Sequence, residues 1–409
     1  MFPKTKYYGE IWLPNSEIKH FCVLNFKDNE VILETNLKSN RSNYKQDILL
    51  GLFNGLGYLT FINNIIHLNS NGVISVYIYN PEFTFVGSHH IDPTTLKLKE
   101  FVIDNDALNS WIRHMHLYNF IDNILEKEED LRHKISIETK SIDIEIIRNT
   151  SYSTNKDYFQ LSNKGYISFK SSIDLNLLES IELYKSFQKF LLFIYGESAR
   201  FKSFKLKCQD CNEWLSLYYY DNLNKDDNFN FISLVYENLK DNLNNIVFNW
   251  FTNNDIQFCS DIILENLLAA KVSHNRRFTN SLSAFEAYTQ RFGLIHKNPT
   301  LKKFLVDETV LIKKITDLDE DKISYTILKI IRSRDFYVHG NKGQKDIYSQ
   351  FELLYISFLL DYIVGIRLLE QLKCSTIIVD KVIGMSNSTF KYSQPINKML
   401  MNNPFNTDK

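Results

Sequence analysis

The hydrophobic period of this chain changes once, and that change restricts it to a fold in two parts. Up to about residue 175, apolar residues alternate with polar ones in short runs between polar turns. From about residue 230 they recur at intervals of three and four. A period of two lines one face of a strand and a period near 3.6 lines one face of a helix, so neither pattern can serve for the other. Tyr7–Leu13, His20–Phe26, Val31–Leu37, Gly57–Ile65, Val73–Tyr79, Phe83–Gly87 and Lys97–Ile103 are aromatic or β-branched runs of strand length, and Lys134–Ile147 alternates well. Asn71-Gly72 and Asn163-Lys164-Gly165 are turn signals. Residues 177–197 read as a helix, and Phe201–Leu206 with Trp214–Tyr220 as two strands that close onto the first part. Phe231–Ile246, Ile256–Ala270, Phe278–Phe292, Leu301–Lys314, Ile323–Val338 and Ile347–Leu372 carry helical patterns.

The expected architecture is an α+β multidomain chain. An antiparallel β-rich, sandwich-like or curved-sheet domain covers 1–175. A helix and hairpin connect through 176–230, an all-α bundle covers 231–385, and 386–409 form a tail that is frayed or loosely docked.

Composition narrows the class. The chain has 409 residues, enough for two or three domains with real cores. Its five cysteines are too few and too scattered for a disulfide framework, which fits a reducing, cytoplasmic setting. The N-terminus leads straight into a strand pattern, without the features of a signal peptide. The most apolar window, Leu353–Leu369, contains Asp361 and Arg367, so it reads as a buried helix and not a membrane span. A net charge of −1 excludes a protein basic throughout, yet Lys271–Lys345 holds 15 Lys or Arg against 8 Asp or Glu. A local basic region is what a nucleic-acid site needs, and equally what a solvated helical surface displays. His89-His90 and His114/His116 lack further ligands at metal spacing, and Trp12 and Trp111 read as core. Cys208-Gln-Asp-Cys211 is half a zinc site, a redox pair, or a hairpin with two ordinary thiols.

The chemistry-bearing stretch is Ile330-Ile331-Arg332-Ser333-Arg334-Asp335-Phe336-Tyr337-Val338-His339-Gly340-Asn341. Ile323, Ile327, Ile330, Ile331 and Val338 form one apolar stripe, and Arg334 falls inside it, within about 40° of Ile327 and Val338 at helical spacing. A guanidinium there needs a carboxylate, a phosphate or a polar cavity. His339 comes at the helix end, where Gly340 is free to turn left-handed. An imidazole exchanges protons near neutral pH and a guanidinium grips a phosphate through two hydrogen bonds, so the pair has the means to cleave RNA without a metal. The plainer alternative is an Arg334–Glu286 ion pair and a helix-capping His339.

Arg334-Asp335-Phe336-Tyr337-Val338-His339 resembles the R-x4-6-H signature of HEPN domains, with Asp335 where Asn is usual. Arg332 offers an R-x6-H reading beside it. Phe278–Tyr288 is similar to the glutamate-bearing helix of HEPN proteins. Tyr8-Gly9-Glu10-Ile11-Trp12-Leu13-Pro14 resembles the start of the ApeA N-terminal domain, and the pair in this order is the architecture of a bacterial anti-phage family. The resemblance covers the first thirty residues or so and roughly 260–370.

It implies a HEPN helix bundle that acts as an endoribonuclease in abortive-infection defence and attacks RNA through its own 2′-hydroxyl. His339 would assist proton transfer and Arg334 would stabilise the phosphorane. Asp335 would orient one of the two, and Tyr337, Arg332 and Lys342 would contact the substrate. It implies no cofactor or metal, a homodimer through the HEPN domain, a phage-encoded trigger, and an N-terminal domain that senses or restrains. The dimer has support in the helix Ile347–Leu372, which is apolar on more than one face. Two other readings stay open: a non-catalytic dimerisation or nucleic-acid module, and a carbohydrate-binding β domain with a helical anchor.

Overall fold

A computed structural model describes residues 6–400, apart from 28–29, 39–44, 70–75, 113–130, 155–158, 198, 210–212, 221–231, 269–271, 294–299, 394–395 and 397–399. Asn71-Gly72, His114, His116 and Cys211 therefore lie outside the described residues. The chain divides into two units, residues 1–188 with 198–224, and residues 189–197 with 225–409.

The first unit begins with β1 (Lys6–Trp12), β2 (His20–Lys27), β3 (Glu30–Thr35), β4 (Lys45–Phe53), β5 (Gly57–Asn69) and β6 (Val76–Asn80). They pair in the order β4-β1-β2-β3-β6-β5, and β4 also pairs with β5, so these six strands close into a barrel. Closure removes the unpaired edges that an open sheet of this size would expose. Ile11, Leu24, Leu33, Leu49, Leu59 and Phe61 point inward and are wholly buried.

β5 is the strand that lets the sheet continue outward. Its Ile65–Asn69 half pairs with β6, and its Tyr58–Ile62 half pairs with β7 (Phe83–Gly87). Asn63, left-handed at φ +53°, marks the change of partner; Asn is among the few side chains that tolerate that region.

Six more strands follow in the sequence: β8 (Leu98–Asn105), β9 (Leu131–Ile137), β10 (Ile142–Thr154), β11 (Phe159–Leu175), β12 (Phe201–Cys208) and β13 (Trp214–Tyr219). The sheet runs from β7 through β13-β12-β8-β11-β10-β9, all antiparallel. Helices α1 (Asp106–Trp111) and α2 (Leu177–Tyr195) accompany it. Phe101 and Phe169 stack at 4.6 Å, and the Phe187 ring of α2 meets Phe169 edge-on at 6.3 Å. Trp111 is buried beside Phe187, as expected of a core residue.

Several local expectations change. Lys134–Ile147 is two strands, not one: residues 138–140 form a 3₁₀ turn and Ser141 is left-handed at φ +56°. The phase of the pattern held the reason. Ile135 and Ile137 occupy odd positions and Ile142, Ile144 and Ile146 even ones, so one straight strand would place them on opposite faces. β4 has no clean alternation and escapes a pattern search. Asn163-Lys164-Gly165 makes no turn; it pairs in β11 with Arg148–Thr150, and the Gly165 amide is held by the Asn109 side chain of α1. The hairpin β12–β13 is part of the same sheet, seated between β7 and β8, so the limit at 175 cuts through one unit. Main-chain pairing joins these strands, and it leaves no mark on hydrophobic periodicity.

The second unit is helical: α3 (Tyr236–Leu239), α4 (Leu243–Thr252), α5 (Asn254–Leu268), α6 (His274–Phe292), α7 (Leu301–Asp307), α8 (Thr309–Thr316), α9 (Glu320–Tyr337), α10 (Gln350–Gln371) and α11 (Thr376–Tyr392). α10 sits at its centre, against α5, α6, α8 and α11. Leu353, Leu359, Ile363, Ile366 and Leu369 are wholly buried there and Leu354 and Phe358 partly, so this bundle covers much of the apolar surface of α10 by itself. The cover comes partly from α11, which runs past the expected tail boundary at 386 and buries Ser386 and Phe390; Phe390 meets Tyr362 of α10 edge-on. Among the described residues, no helix is long and apolar enough to cross a membrane.

Gly9 shows why a small residue stands in Tyr8-Gly9-Glu10. It pairs with Cys22 on one side and Phe53 on the other, and a Cβ there would overlap the Leu52 carbonyl oxygen and the Phe53 ring. Gly9→Ala is therefore expected to destabilise the first unit by about 2–3 kcal/mol. Urea melts of the full chain, followed by tryptophan fluorescence, check this; a melt superimposable on wild type refutes it.

Candidate functional site at the end of helix α9

α9 starts on Asp319, whose carboxylate accepts the Lys322 amide at 2.9 Å, and its last bond runs from the Val338 amide to the Arg334 carbonyl at 2.8 Å. Its buried face is Ile323, Thr326, Ile327, Ile330 and Ser333. The apolar stripe is narrower than the sequence suggests, because the helix stops before Val338, which is exposed. Gly340 is left-handed at φ +67°, as anticipated, and turns the chain back. The Asn341 amide then donates to the Asp335 carbonyl at 3.0 Å.

Arg334 lies at the edge of that face, with its side chain 29% exposed, and its Nη2 meets Glu286 Oε1 of α6 at 2.8 Å. The partner is the carboxylate named as the alternative to a phosphate. It occupies one edge of a five-donor group, so donors remain on the guanidinium. Arg332, two residues earlier, points elsewhere: its Nη1 meets Asp346 Oδ2 at 2.6 Å, and the Tyr325 hydroxyl donates to Asp346 Oδ1 at 2.7 Å. The Asp335 carboxylate accepts from Gln344 Nε2 at 3.4 Å. The Tyr337 hydroxyl donates to the Tyr348 carbonyl at 2.9 Å, which occupies the group expected to contact substrate. His339 and Lys342 are exposed and have no hydrogen-bond or ion-pair partner among the described residues.

Sequence reading thus placed Arg334, His339 and Gly340 about a helix end and named Glu286 as the carboxylate Arg334 could pair with. It missed Asp346, Tyr325, Ser333 and Tyr348, which hold the chain as it leaves α9; the Tyr348 amide donates to the buried Ser333 Oγ at 2.9 Å. No pattern marks them, because they pair across 11 to 21 positions.

The basic window looks different in three dimensions. Arg276, Arg277, Arg291, Lys329 and Arg332 pair with Glu265, Asp361, Asp255, Glu352 and Asp346, all outside the stretch counted from Lys271 to Lys345. Much of the apparent excess is therefore neutralised, and exposed Lys342 and Lys345 remain beside His339. Among the described residues no group of three His, Cys, Asp or Glu stands together. His89 pairs with Glu213 at 3.5 Å, His90 with the Leu59 carbonyl, and Cys208 is a buried free thiol.

The molecule is thus a two-unit protein: an antiparallel barrel that opens into a sheet, then a helical bundle with Arg334 and His339 at the end of one helix. Residues 6–250 match the family of ApeA N-terminal domain 1, and the chain belongs to that family. The match spans the whole β unit, including the central stretch beyond the resemblance read from sequence, and ends inside α4; the helices with Arg334 and His339 follow it. No curated protein and no solved structure matches the chain.

α6 is held in place by a second polar group. Asp361 of α10 is wholly buried and faces Arg277 of α6, Nη2 to Oδ2, at 3.7 Å. Arg277 also lies 4.8 Å over the Phe358 ring and donates to the Asn266 carbonyl at 3.3 Å. Burial pushes the Asp361 carboxyl up to about 6, against the pull of Arg277. The unfolded carboxyl titrates near 3.8, so between these values the folded state binds a proton that the unfolded chain releases. Folding stability from this group is therefore lost as pH rises through that window and present below it. Against an Asp361→Asn variant, wild type is expected to gain on the order of 2–3 kcal/mol between pH 7 and pH 4. Paired urea melts at the two pH values check the sign; a difference that moves toward the variant contradicts it.

Proposed function

We propose that this chain is a metal-independent endoribonuclease of the HEPN kind acting in anti-phage, abortive-infection defence. The RNA 2′-hydroxyl attacks the adjacent phosphate, His339 moves the proton, and Arg334 stabilises the charged phosphorane. The observation that supports this reading is the disposition of the two arginines. Arg332 and Arg334 are both partly exposed and each is held along one edge by a carboxylate, Arg332 by Asp346 on the connection that follows His339 and Arg334 by Glu286 of α6, with Arg334 at the end of the helix that leads to exposed His339. A carboxylate on one edge of a guanidinium fixes its plane and leaves the other donors for a phosphate. Lys342 then meets the RNA backbone, and Asp335 acts through Gln344 on the turn that follows His339.

Two copies pairing through the helical unit would bring two such motifs to one cleft, with the β-rich unit sensing a phage-encoded trigger or restraining the activity. A second reading is a non-catalytic dimerisation or nucleic-acid module, and the neutralised arginines favour the first of these. RNA cleavage by the purified protein separates the two.

His339→Ala and Arg334→Ala are each expected to lower the cleavage rate at least about 100-fold with little change in melting temperature. Arg332→Ala is expected to cost less. Full cleavage and full toxicity in a well-expressed His339→Ala variant would end the reading.

Cleavage is also expected to survive EDTA, because a 2′-hydroxyl attack assisted by imidazole and guanidinium needs no metal-bound nucleophile. Products should carry 2′,3′-cyclic phosphate ends, and a 2′-deoxy substitution at the cut site should block the reaction. Activity lost in EDTA and restored by Mg²⁺ contradicts the mechanism.

A further inference from the structure

The connection from α9 to α10 carries His339 and Lys342 yet buries almost none of its own side chains. Residues 338–343, Lys345 and Asp346 are exposed, and the first fully buried side chain after the helix is Tyr348. Hydrophobic burial cannot hold such a segment in one place. A polar row does. Tyr325, Lys329 and Arg332 stand at i, i+4 and i+7 on α9 and so share one face. Lys329 lies 4.4 Å over the Tyr348 ring and meets Glu352, while Tyr325 and Arg332 converge on the two oxygens of Asp346 at 2.7 and 2.6 Å. The other side-chain tie to the middle of the connection, Gln344 to Asp335, is 3.4 Å long. Asp346 is itself left-handed at φ +58°, a region that Asp, like Asn, tolerates better than most side chains. Burial and the charge of Asp346 raise the Tyr325 hydroxyl far above its ordinary range, so it stays a donor.

We propose that Asp346 is a positioning residue of the α9 site, anchored by Tyr325 and Arg332, which fixes the return after Gly340 and so sets His339 and Lys342 against the scissile phosphate. The catalytic half of this inference rests on the ribonuclease reading; the anchor itself does not. Arg332 thereby acts through the loop and not on the phosphorane.

The test uses the full-length protein with the anchor removed from the helix side, Tyr325→Phe with Arg332→Gln, which leaves the left-handed Asp346 untouched. Amide hydrogen exchange is expected to speed up at least tenfold over 339–346, with the interiors of α9 and α10 as protected as in wild type. kcat is expected to fall at least tenfold while KM moves less than threefold. Arg332→Lys, which keeps the ion pair, should recover most of kcat, and Tyr325→Phe alone should lower it in part. Unchanged exchange over 339–346 overturns the anchor. A loosened loop with wild-type kcat overturns the positioning role. If wild-type protein cleaves no RNA, the ribonuclease reading falls and the exchange measurement alone decides the anchor.

Discussion

The helical unit depends on the burial of α10. A helix apolar nearly all round must be enclosed, and α5, α6, α8 and α11 enclose it. Its charges then dictate their neighbours. Asp361 takes Arg277 of α6, and Arg367 takes Glu308 at the start of α8 through Nε at 3.0 Å and Nη2 at 2.8 Å. An ion inside a core costs several kcal/mol unless it is matched, so these pairs restrict how α6 and α8 lie on α10. α6 so placed brings Glu286 to Arg334. The geometry of the site is thus a consequence of packing well away from it.

The β-rich unit solves a different problem. Its sheet is too long to remain an open ribbon, and it closes its first six strands on an aliphatic and aromatic interior. The closure rests on β5, which serves β6 with one half and β7 with the other. Gly9 permits the close approach of β4 to β1. The family match from residue 6 to residue 250 follows this unit through β12 and β13. The physical domain is accordingly larger than the run of alternating sequence at its beginning.

Legibility followed the range of the interaction. Arg334, His339 and Gly340 were readable because a helix end is local chemistry: a period, a stop and a left-handed glycine. Glu286 was readable only as a candidate partner. The charge of the 271–345 window misled because five of its basic residues find their acids elsewhere in the chain. Tyr337 carried a substrate contact in the sequence reading and holds Tyr348 in the fold. The apolar faces of α10 suggested a partner chain, and α11, whose last turns lie beyond the expected tail boundary at 386, supplies part of the cover.

The sequence by itself determined the two-part architecture, the antiparallel character of the first part, the helices of the second and the place of Arg334 and His339 at a helix end. Each of these follows from side-chain period and turn chemistry within a few residues. The tertiary structure decided the closure of the barrel, the placement of β12 and β13, the enclosure of α10, and which arginine is tied to the loop and which stands beside Glu286. Those outcomes depend on main-chain pairing and on ion pairs between residues far apart along the chain, and neither leaves a periodic trace in the order of residues.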